Sequence, residues 1–299
     1  MTVMYENIGL VSVTYRRLPA EAVVRLAKDA GLACIEWGSD VHVPETDPAG
    51  ARRVGEFTRA AGLSVASYGT YYRLGQGQDF SAYLTAAEAL GAPSLRLWAG
   101  TRGSDAVDAA TRRLWTADGI AAAEAAAARG LRIAFEYHPG TLTDACDSAV
   151  RLMREINHPA AGLYWQPDFR KSEYELLRGL EAALPWLRAI HLFSWLPDGT
   201  RLPLADRRPL WESLLRHVPQ CDRIRLLLEF VPGDDADPAI LAREAETLRG
   251  IADQAGREYS AGRTNFTKSS TTLHRKRRTT GQISDIIGMI SIKQGGSEP

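Results

Sequence analysis

Residues 111–139 read TRRLWTADGIAAAEAAAARGLRIAFEYHP. The first part, near Thr111 to Arg129, is rich in alanine, which has the highest intrinsic helix propensity. Gly130 follows it directly, where glycine commonly ends a helix. The next run, Arg132 to Glu136, is short, mostly apolar and suited to a strand, and it ends in a charged residue. A helix followed by a short buried strand predicts one unit of a parallel α/β fold.

The same alternation extends over most of the 299 residues. Predicted strands lie near Ile8–Val13, Cys34–Trp37, Ser64–Tyr68, Ser94–Trp98, Arg132–Glu136, Gly162–Gln166, Ala189–Phe193 and Arg223–Glu229. Predicted helices lie near Ala20–Asp29, Pro48–Ala61, Phe80–Leu90, Thr111–Arg129, Asp144–Ile156, Ser172–Leu184, Pro209–Arg216 and Pro238–Gln254. Eight such units predict a (β/α)8 TIM barrel domain over residues 1–256. A doubly wound sheet would place a glycine-rich phosphate loop after its first strand, but residues 14–19 read TYRRLP.

The pattern stops near Gln254, and residues 257–299 form a separate segment rich in Ser, Thr, Gly, Lys and Arg. This composition predicts a disordered basic tail. The segment holds eight of the 36 Lys and Arg residues but only three of the 36 Asp and Glu residues. The preceding part of the chain is therefore acidic, which argues against a nucleic-acid-binding surface.

The apolar runs and the cysteines indicate the cellular compartment. No apolar run approaches the roughly 20 residues of a membrane span, and the N-terminus lacks a basic and then apolar signal pattern. The three cysteines are widely separated and odd in number, which favours reduced thiols over a disulfide framework. We therefore predict a cytoplasmic protein with no membrane partner.

Four polar residues each close a separate apolar run: Glu136, Gln166, His191 and Glu229. The carboxyl ends of parallel barrel strands meet at one face, so these residues are predicted to be neighbours there. An unpaired carboxylate is costly to bury, which favours a divalent metal site over ion-paired fold elements. Oxygen ligands with one imidazole suit Mn²⁺, Mg²⁺, Co²⁺ or Zn²⁺.

The segments that carry these residues resemble the metal-site strands of the sugar phosphate isomerase/epimerase group, the xylose isomerase-like barrels. They read LRIAFEYHP (131–139), AGLYWQPD (161–168), AIHLF (189–193) and LLLEF (226–230), and AGLACIEW (30–37) resembles the group's second strand. The resemblance covers residues 5–255. It implies that Mn²⁺ or a similar ion binds Glu136, Gln166, His191 and Glu229.

The second ligand position departs from the family pattern. Gln166 stands where a carboxylate is usual, and Phe169 stands where the family often has a histidine. An amide oxygen still binds a hard cation but contributes less charge, so the expected metal affinity is lower. Asp168 is the alternative ligand at this position.

The resemblance also implies a reaction and a substrate class. It implies an isomerase or epimerase that acts on a small sugar or related hydroxy-ketone through an enediolate, with Glu136 and Glu229 as the acid/base pair. A lyase or dehydratase acting on a keto-sugar or cyclic polyol is the first alternative, and a catalytically inactive ligand-binding barrel is the second. The related barrel endonucleases are disfavoured because the sixth strand end lacks their Asp-x-x-His pattern.

Further residues are predicted to contact the substrate: Trp37, His42, His138 and Arg201. Loop capping, surface exposure or plain packing is the competing explanation for each of them. The family's frequent dimers and tetramers also imply a homo-oligomer.

Overall fold

The computed structural model describes residues 5–219, 223–233 and 237–257. Its strands are β1 (Ile8–Val11), β2 (Cys34–Gly38), β3 (Ser64–Arg73), β4 (Ser94–Trp98), β5 (Arg132–Glu136), β6 (Ala161–Trp165), β7 (Leu187–Leu192), β8 (Ser194–Trp195), β9 (Arg201–Leu202) and β10 (Arg225–Leu228). Its helices are α1 (Ala20–Asp29), α2 (Pro48–Ala60), α3 (Phe80–Leu90), α4 (Ala109–Ala128), α5 (Cys146–Ile156), α6 (Glu173–Ala183) and α7 (Arg208–Leu215), and residues 238–257 are also helical.

The parallel strands close into a barrel in the order β1-β10-β7-β6-β5-β4-β3-β2. Each neighbouring pair is parallel, with a helical crossover between successive barrel strands. The (β/α)8 prediction is therefore confirmed. The largest difference between the predicted and the observed strand bounds is at β3. This strand was predicted to end at Tyr68 but continues to Arg73, because a register shift lets Arg73 pair with Trp98 of β4.

Small and apolar side chains form one layer inside the barrel, and a polar layer lies above it. The apolar layer includes Cys34, Ala134, Tyr164, Ala189 and Leu227. Side chains on a strand return to the same face every second residue. The residues two positions later are Glu36, Glu136, Gln166, His191 and Glu229. Strand alternation therefore directs these polar side chains toward the barrel axis at the carboxyl end.

Local sequence explains where several helices begin. Asp47 caps α2 by accepting a hydrogen bond from the Gly50 backbone N–H. At α6, Ser172 and Glu175 form a reciprocal capping box in which each side chain satisfies the other's backbone N–H. These caps place the helix starts immediately after the loops at the carboxyl end of the barrel.

The loop between β7 and α7 contains a feature that the sequence patterns did not predict. Strands β8 and β9 pair in an antiparallel hairpin, with Ser194 opposite Leu202 and Trp195 opposite Arg201. Gly199 has φ +89°, a conformation that glycine adopts without strain, and it lies in the turn. The hairpin carries Trp195 and Leu196 into the lining of the large cavity at the barrel mouth.

Gly9 provides a stability test of the strand packing. A Cβ at this position would lie 2.3 Å from the Cys34 carbonyl oxygen and 2.5 Å from its Sγ. We expect Gly9→Ala to lower the free energy of unfolding by about 1–3 kcal/mol in urea denaturation, because backbone must move to accept the methyl group. Gly256→Ala is the matched control, since no atom lies within 4 Å of its Cβ position. Equal effects of the two substitutions would contradict this packing.

Two predictions fall partly or wholly beyond the described residues. The predicted basic tail, residues 257–299, lies outside them from residue 258 onward, so its disorder and the domain boundary stay predictions. Among the cysteines, Cys34 is buried, Cys146 is half-buried and both are free thiols, whereas Cys221 lies outside the described residues.

Candidate metal centre

Three of the predicted ligands converge at the barrel mouth. One ligand atom from each of Glu136, His191 and Glu229 lies within 4.8 Å of the others, and all of these residues are buried. His191 Nδ1 is 3.5 Å from Glu136 Oε1 and 3.4 Å from Glu229 Oε2. These separations are too long for strong hydrogen bonds. The side chains therefore surround a common point without fully satisfying one another.

Unpartnered polar atoms show that this arrangement fits a cation. Within the described part of the chain, Glu229 Oε2 is buried and has no hydrogen-bond partner. His191 Nδ1 faces this oxygen, whereas His191 Nε2, which also has no hydrogen-bond partner, lies 3.5 Å from Glu36 Oε1. Buried polar atoms are normally satisfied, so each exception requires an explanation. A carboxylate oxygen and an imidazole nitrogen are both ligands for a borderline or hard divalent ion. The donor set that the chain presents is therefore compatible with the metal that the resemblance implies.

Glu36 and Arg96 adjoin this cluster and were not predicted to be part of the site. Arg96 is 3% exposed, and its Nε lies 2.8 Å from Glu36 Oε1. Its Nη1 contacts Glu136 Oε2 in a second ion pair. Ser67 donates a hydrogen bond of 2.6 Å to the other Glu36 oxygen. Arg96 therefore joins a carboxylate on β2 to one on β5 across the barrel.

These contacts shift the ionisation of the carboxylates. Burial alone would raise the pKa of Glu136, but Arg96 and His191 outweigh it and lower that pKa to about 2. Burial likewise opposes ionisation of Glu36, yet Arg96 and His191 hold its pKa below the ordinary value. Burial would lower the pKa of Arg96, whereas Glu136 and Glu36 raise it. The carboxylates that contact Arg96 are therefore charged at neutral pH.

The net charge of the buried side chains around His191 favours binding of a divalent ion. Glu36, Glu136 and Glu229 are each 4% exposed or less, and Arg96 is the one guanidinium that pairs with them among the described residues. With a neutral His191 imidazole the set carries an excess of two negative charges, which one divalent cation would balance. Burial would lower the pKa of His191, but Glu229 and Glu36 raise it well above the ordinary value. The cluster therefore attracts positive charge, either a proton or a metal ion.

The structure distinguishes the two candidates for the second ligand. Gln166 Oε1 lies 3.3 Å from His191 Nδ1, so its amide reaches the cluster. Asp168 also lines the cavity, but its carboxylate accepts two hydrogen bonds from the Arg170 guanidinium, at 2.8 and 3.0 Å. The geometry therefore favours Gln166 over Asp168, and its role as a ligand stays a prediction.

The predicted substrate-binding residues are separated by the fold. His138 lines the cavity and stacks on Trp98, with ring centroids 4.0 Å apart. Trp37 is fully buried, and its indole N–H donates to Thr58 Oγ1 at 3.1 Å. Among the described residues, His138 belongs to the cavity lining and Trp37 does not.

His42 and Arg201 also lie outside the described lining of the cavity. The His42 ring is within 3.1 Å of Ser12 Oγ and 3.0 Å of the Leu18 carbonyl oxygen, so it ties together two loop segments. Burial lowers the pKa of His42, which favours the neutral ring. Arg201 lies over the ring of Phe230, with its guanidinium carbon 5.2 Å from the ring centroid. Contacts of His42 and Arg201 with substrate stay predictions.

The sequence contained a signal for the Glu36–Arg96 ion pair, which was not predicted. Glu36 lies in the middle of the buried strand β2, and Arg96 lies in the middle of β4. A charged residue in the middle of a buried strand requires a partner of opposite charge. Sequence spacing alone does not identify that partner, because β2 and β4 are separated by β3 in the barrel.

The family model for the xylose isomerase-like TIM barrel matches residues 24–191, more than half of the 299-residue chain. The chain belongs to the xylose isomerase-like TIM barrel family. The suspected family is thereby confirmed. The matched range includes Glu36, Arg96, Glu136 and His191, while Glu229 lies beyond it. Curated protein sequences give no significant match.

Solved structures of other proteins show the same fold. The chain is similar to a probable 3-DHS dehydratase, AsbF, from Bacillus anthracis, with a TM-score of 0.69 and 17% identity over 81% of this chain and 98% of that chain. It is similar to a D-psicose 3-epimerase from Clostridium cellulolyticum H10, with a TM-score of 0.64 and 12% identity over 83% and 99% of the two chains. The chain is also similar to a xylose isomerase-like TIM barrel protein from Mycobacterium smegmatis in complex with magnesium. The TM-score is 0.59, with 15% identity over 85% of this chain and 97% of that chain. No described helix of this family member is long and apolar enough to cross a membrane.

Proposed function

We propose that the protein is a divalent-metal-dependent isomerase or epimerase of a small sugar or related hydroxy-ketone. The observation that carries the proposal is the convergence of Glu136, His191 and Glu229, where the buried Glu229 Oε2 has no hydrogen-bond partner in the described chain. Membership of a family that contains xylose isomerase-like barrels agrees with this class of substrate. We further propose that the protein is cytoplasmic and forms a homo-oligomer, as the sequence predicts.

Glu136, Gln166, His191 and Glu229 would hold the ion, with Mn²⁺ the expected metal and Mg²⁺, Co²⁺ or Zn²⁺ the alternatives. When bound, the ion supplies positive charge beside the substrate carbonyl and makes the adjacent C–H bond more acidic. Gln166 brings an oxygen without a negative charge. Glu36, a third buried carboxylate, lies next to Arg96 and His191, but its charge is balanced by Arg96.

The two proposed acid/base residues have different surroundings. Glu136 Oε2 contacts Arg96, so one oxygen of this carboxylate is already engaged. Glu229 Oε2 has no hydrogen-bond partner among the described residues. In the proposed reaction Glu229 accepts the proton from the carbon next to the carbonyl, and Glu136 remains fixed by Arg96. Return of the proton from Glu229 to the neighbouring carbon, together with transfer of a proton between the two substrate oxygens, gives isomerisation. Epimerisation instead requires Glu136 to deliver a proton to the opposite face of the same carbon.

The engagement of Glu136 also favours a second candidate, a lyase or dehydratase acting on a keto-sugar or cyclic polyol. Elimination begins with the same proton removal and requires one free base at that step, which Glu229 provides. Its product is an unsaturated ketone with ultraviolet absorption. Formation of this absorption with a keto-sugar, without formation of an isomeric sugar, would favour elimination.

Deuterium incorporation tests the proposed reaction. We expect Mn²⁺-loaded protein in D₂O to place deuterium on the carbon next to the carbonyl of at least one member of a ketose panel, as detected by NMR. Glu229→Gln should reduce the rate at least about 100-fold, because loss of a general base typically costs that much. Glu181→Gln on the outer surface is the matched control and should leave the rate unchanged. Exchange at the full rate in Glu229→Gln would remove this residue from the acid/base role.

A further inference from the structure

Four aromatic side chains form a contiguous cluster at the cavity wall: Phe169, Phe193, Trp195 and Phe230. The Phe193 ring centroid lies 5.8 Å from that of Phe169, 4.9 Å from that of Trp195 and 6.0 Å from that of Phe230. The centroids of Trp195 and Phe230 are 5.1 Å apart. We call these residues the aromatic cluster. Phe193 is buried, and the other rings are partly exposed although they lie together.

The aromatic cluster is attached to the strands that carry the candidate metal ligands. Phe193 follows His191 by two residues, and Phe230 directly follows Glu229. Phe230 has φ +50°, a left-handed conformation that is uncommon for residues other than glycine. Its backbone N–H donates to Thr14 Oγ1 at 3.2 Å, which fixes this conformation. Strained backbone of this kind is concentrated at functional sites.

Two arginines cover part of the cluster. The Arg201 guanidinium carbon lies 5.2 Å from the Phe230 ring centroid, and that of Arg207 lies 4.9 Å from the Phe169 ring centroid. These cation–π contacts hold the rings in place. Both arginines lie outside the described cavity lining, whereas the rings that they contact belong to it. The cluster therefore presents supported aromatic surface to the cavity.

The cavity is large for a single sugar ring. Its volume is about 710 Å³, and its wall contains both Glu136 and Glu229 and the aromatic cluster. Cavities of about 300–1,000 Å³ hold ligands of drug size. A free monosaccharide at the carboxylates would leave the aromatic wall in contact with water, which is unfavourable for partly exposed rings.

We infer that the substrate has two parts: a hydroxy-ketone sugar unit at the candidate metal centre, and an aromatic ring attached to it that packs on the aromatic cluster. This inference rests on the proposed function for the sugar unit and extends it to the class of aryl-substituted keto-sugars. Flat aromatic surfaces pack favourably on one another in offset or edge-to-face arrangements, and the wall offers several ring orientations.

Two glycosides that differ only in their substituent test the inference. We expect Mn²⁺-loaded protein to bind phenyl 3-keto-β-D-glucopyranoside at least about tenfold more tightly than methyl 3-keto-β-D-glucopyranoside in titration calorimetry, because burial of the phenyl ring removes apolar surface from water. Trp195→Leu should reduce this preference about fivefold. Trp186→Leu is the matched control, since Trp186 packs against the core, lies outside the cavity lining and should leave the preference unchanged.

Each outcome of the titration decides the inference. Equal affinities for the two glycosides, or no measurable binding of either, would overturn it. A preference that Trp195→Leu leaves intact would also overturn it, provided that thermal unfolding shows a folded variant. A phenyl preference without deuterium exchange on any ketose would support the aromatic subsite while removing the proposed isomerase reaction. Deuterium exchange without a preference for the phenyl compound would support the proposed reaction and overturn the aromatic subsite.

Discussion

Arg96→Met should lower the free energy of unfolding of the metal-free protein by about 3–5 kcal/mol, because removing one partner of a buried ion pair leaves an uncompensated charge. Arg96 contacts both Glu36 and Glu136, and all these side chains are almost fully buried. The substitution leaves two carboxylates near Glu229 without a guanidinium. Urea denaturation in the presence of a chelator measures the loss.

Two variants separate this electrostatic effect from a packing effect. Arg96→Met combined with Glu36→Gln removes one carboxylate and should recover much of the lost free energy. Arg170→Met removes an exposed pair with Asp168 and should cost about 0–1 kcal/mol. If Arg96→Met and Arg170→Met have similar effects, Arg96 does not compensate the buried carboxylates.

Mn²⁺ should bind in one equivalent and stabilise the protein against heat. At a free concentration about 100 times the dissociation constant, the expected stabilisation is about 2.7 kcal/mol. His191→Ala should abolish this effect, because it removes the imidazole at the centre of the candidate ligands. Calorimetry gives the stoichiometry, and thermal unfolding with and without Mn²⁺ gives the stabilisation.

A substitution at position 166 should strengthen Mn²⁺ binding, whereas His191→Ala should abolish it. Gln166→Asp adds a carboxylate beside His191 and should tighten Mn²⁺ binding by about tenfold, since affinity rises with the charge of the ligands. His217→Ala, near the end of α7 and outside the cavity lining, is the matched control for His191→Ala. A wild-type protein that binds no Mn²⁺ would contradict both the metal centre and the reaction proposed for it.

The barrel was predictable because its signal is repeated. Each unit pairs a short apolar strand run with a helical stretch, and the ends of many helices carry Asp-Pro or glycine signals. Strand bounds and short strands that depend on pairing with distant parts of the chain were harder to predict from the sequence. The extension of β3 to Arg73 depends on a register shift against β4, and the β8–β9 hairpin consists of very short strands within a loop.

The candidate metal centre was predictable to a similar degree. Glu136, His191 and Glu229 were inferred to be neighbours from their places at strand ends, and the described structure brings them together. Arg96 was not recognised because its partners lie on β2 and β5, far from it in sequence. Trp37 shows the converse difficulty, since its place at a strand end does not reveal that its ring packs outside the cavity.

The Glu36–Arg96 pair belongs entirely to β2 and β4, whereas Glu136 and His191 lie on β5 and β7 and Glu229 directly follows β10. The amino-terminal half-barrel thus contributes a neutral pair, and the carboxyl-terminal half-barrel contributes two carboxylates that form no ion pair with an arginine of their own strands within the described chain. If the chain were split between α4 and β5, the two fragments would therefore differ in the net charge of their buried side chains. The carboxyl-terminal fragment would depend on its complement, or on a divalent ion, to neutralise its interior.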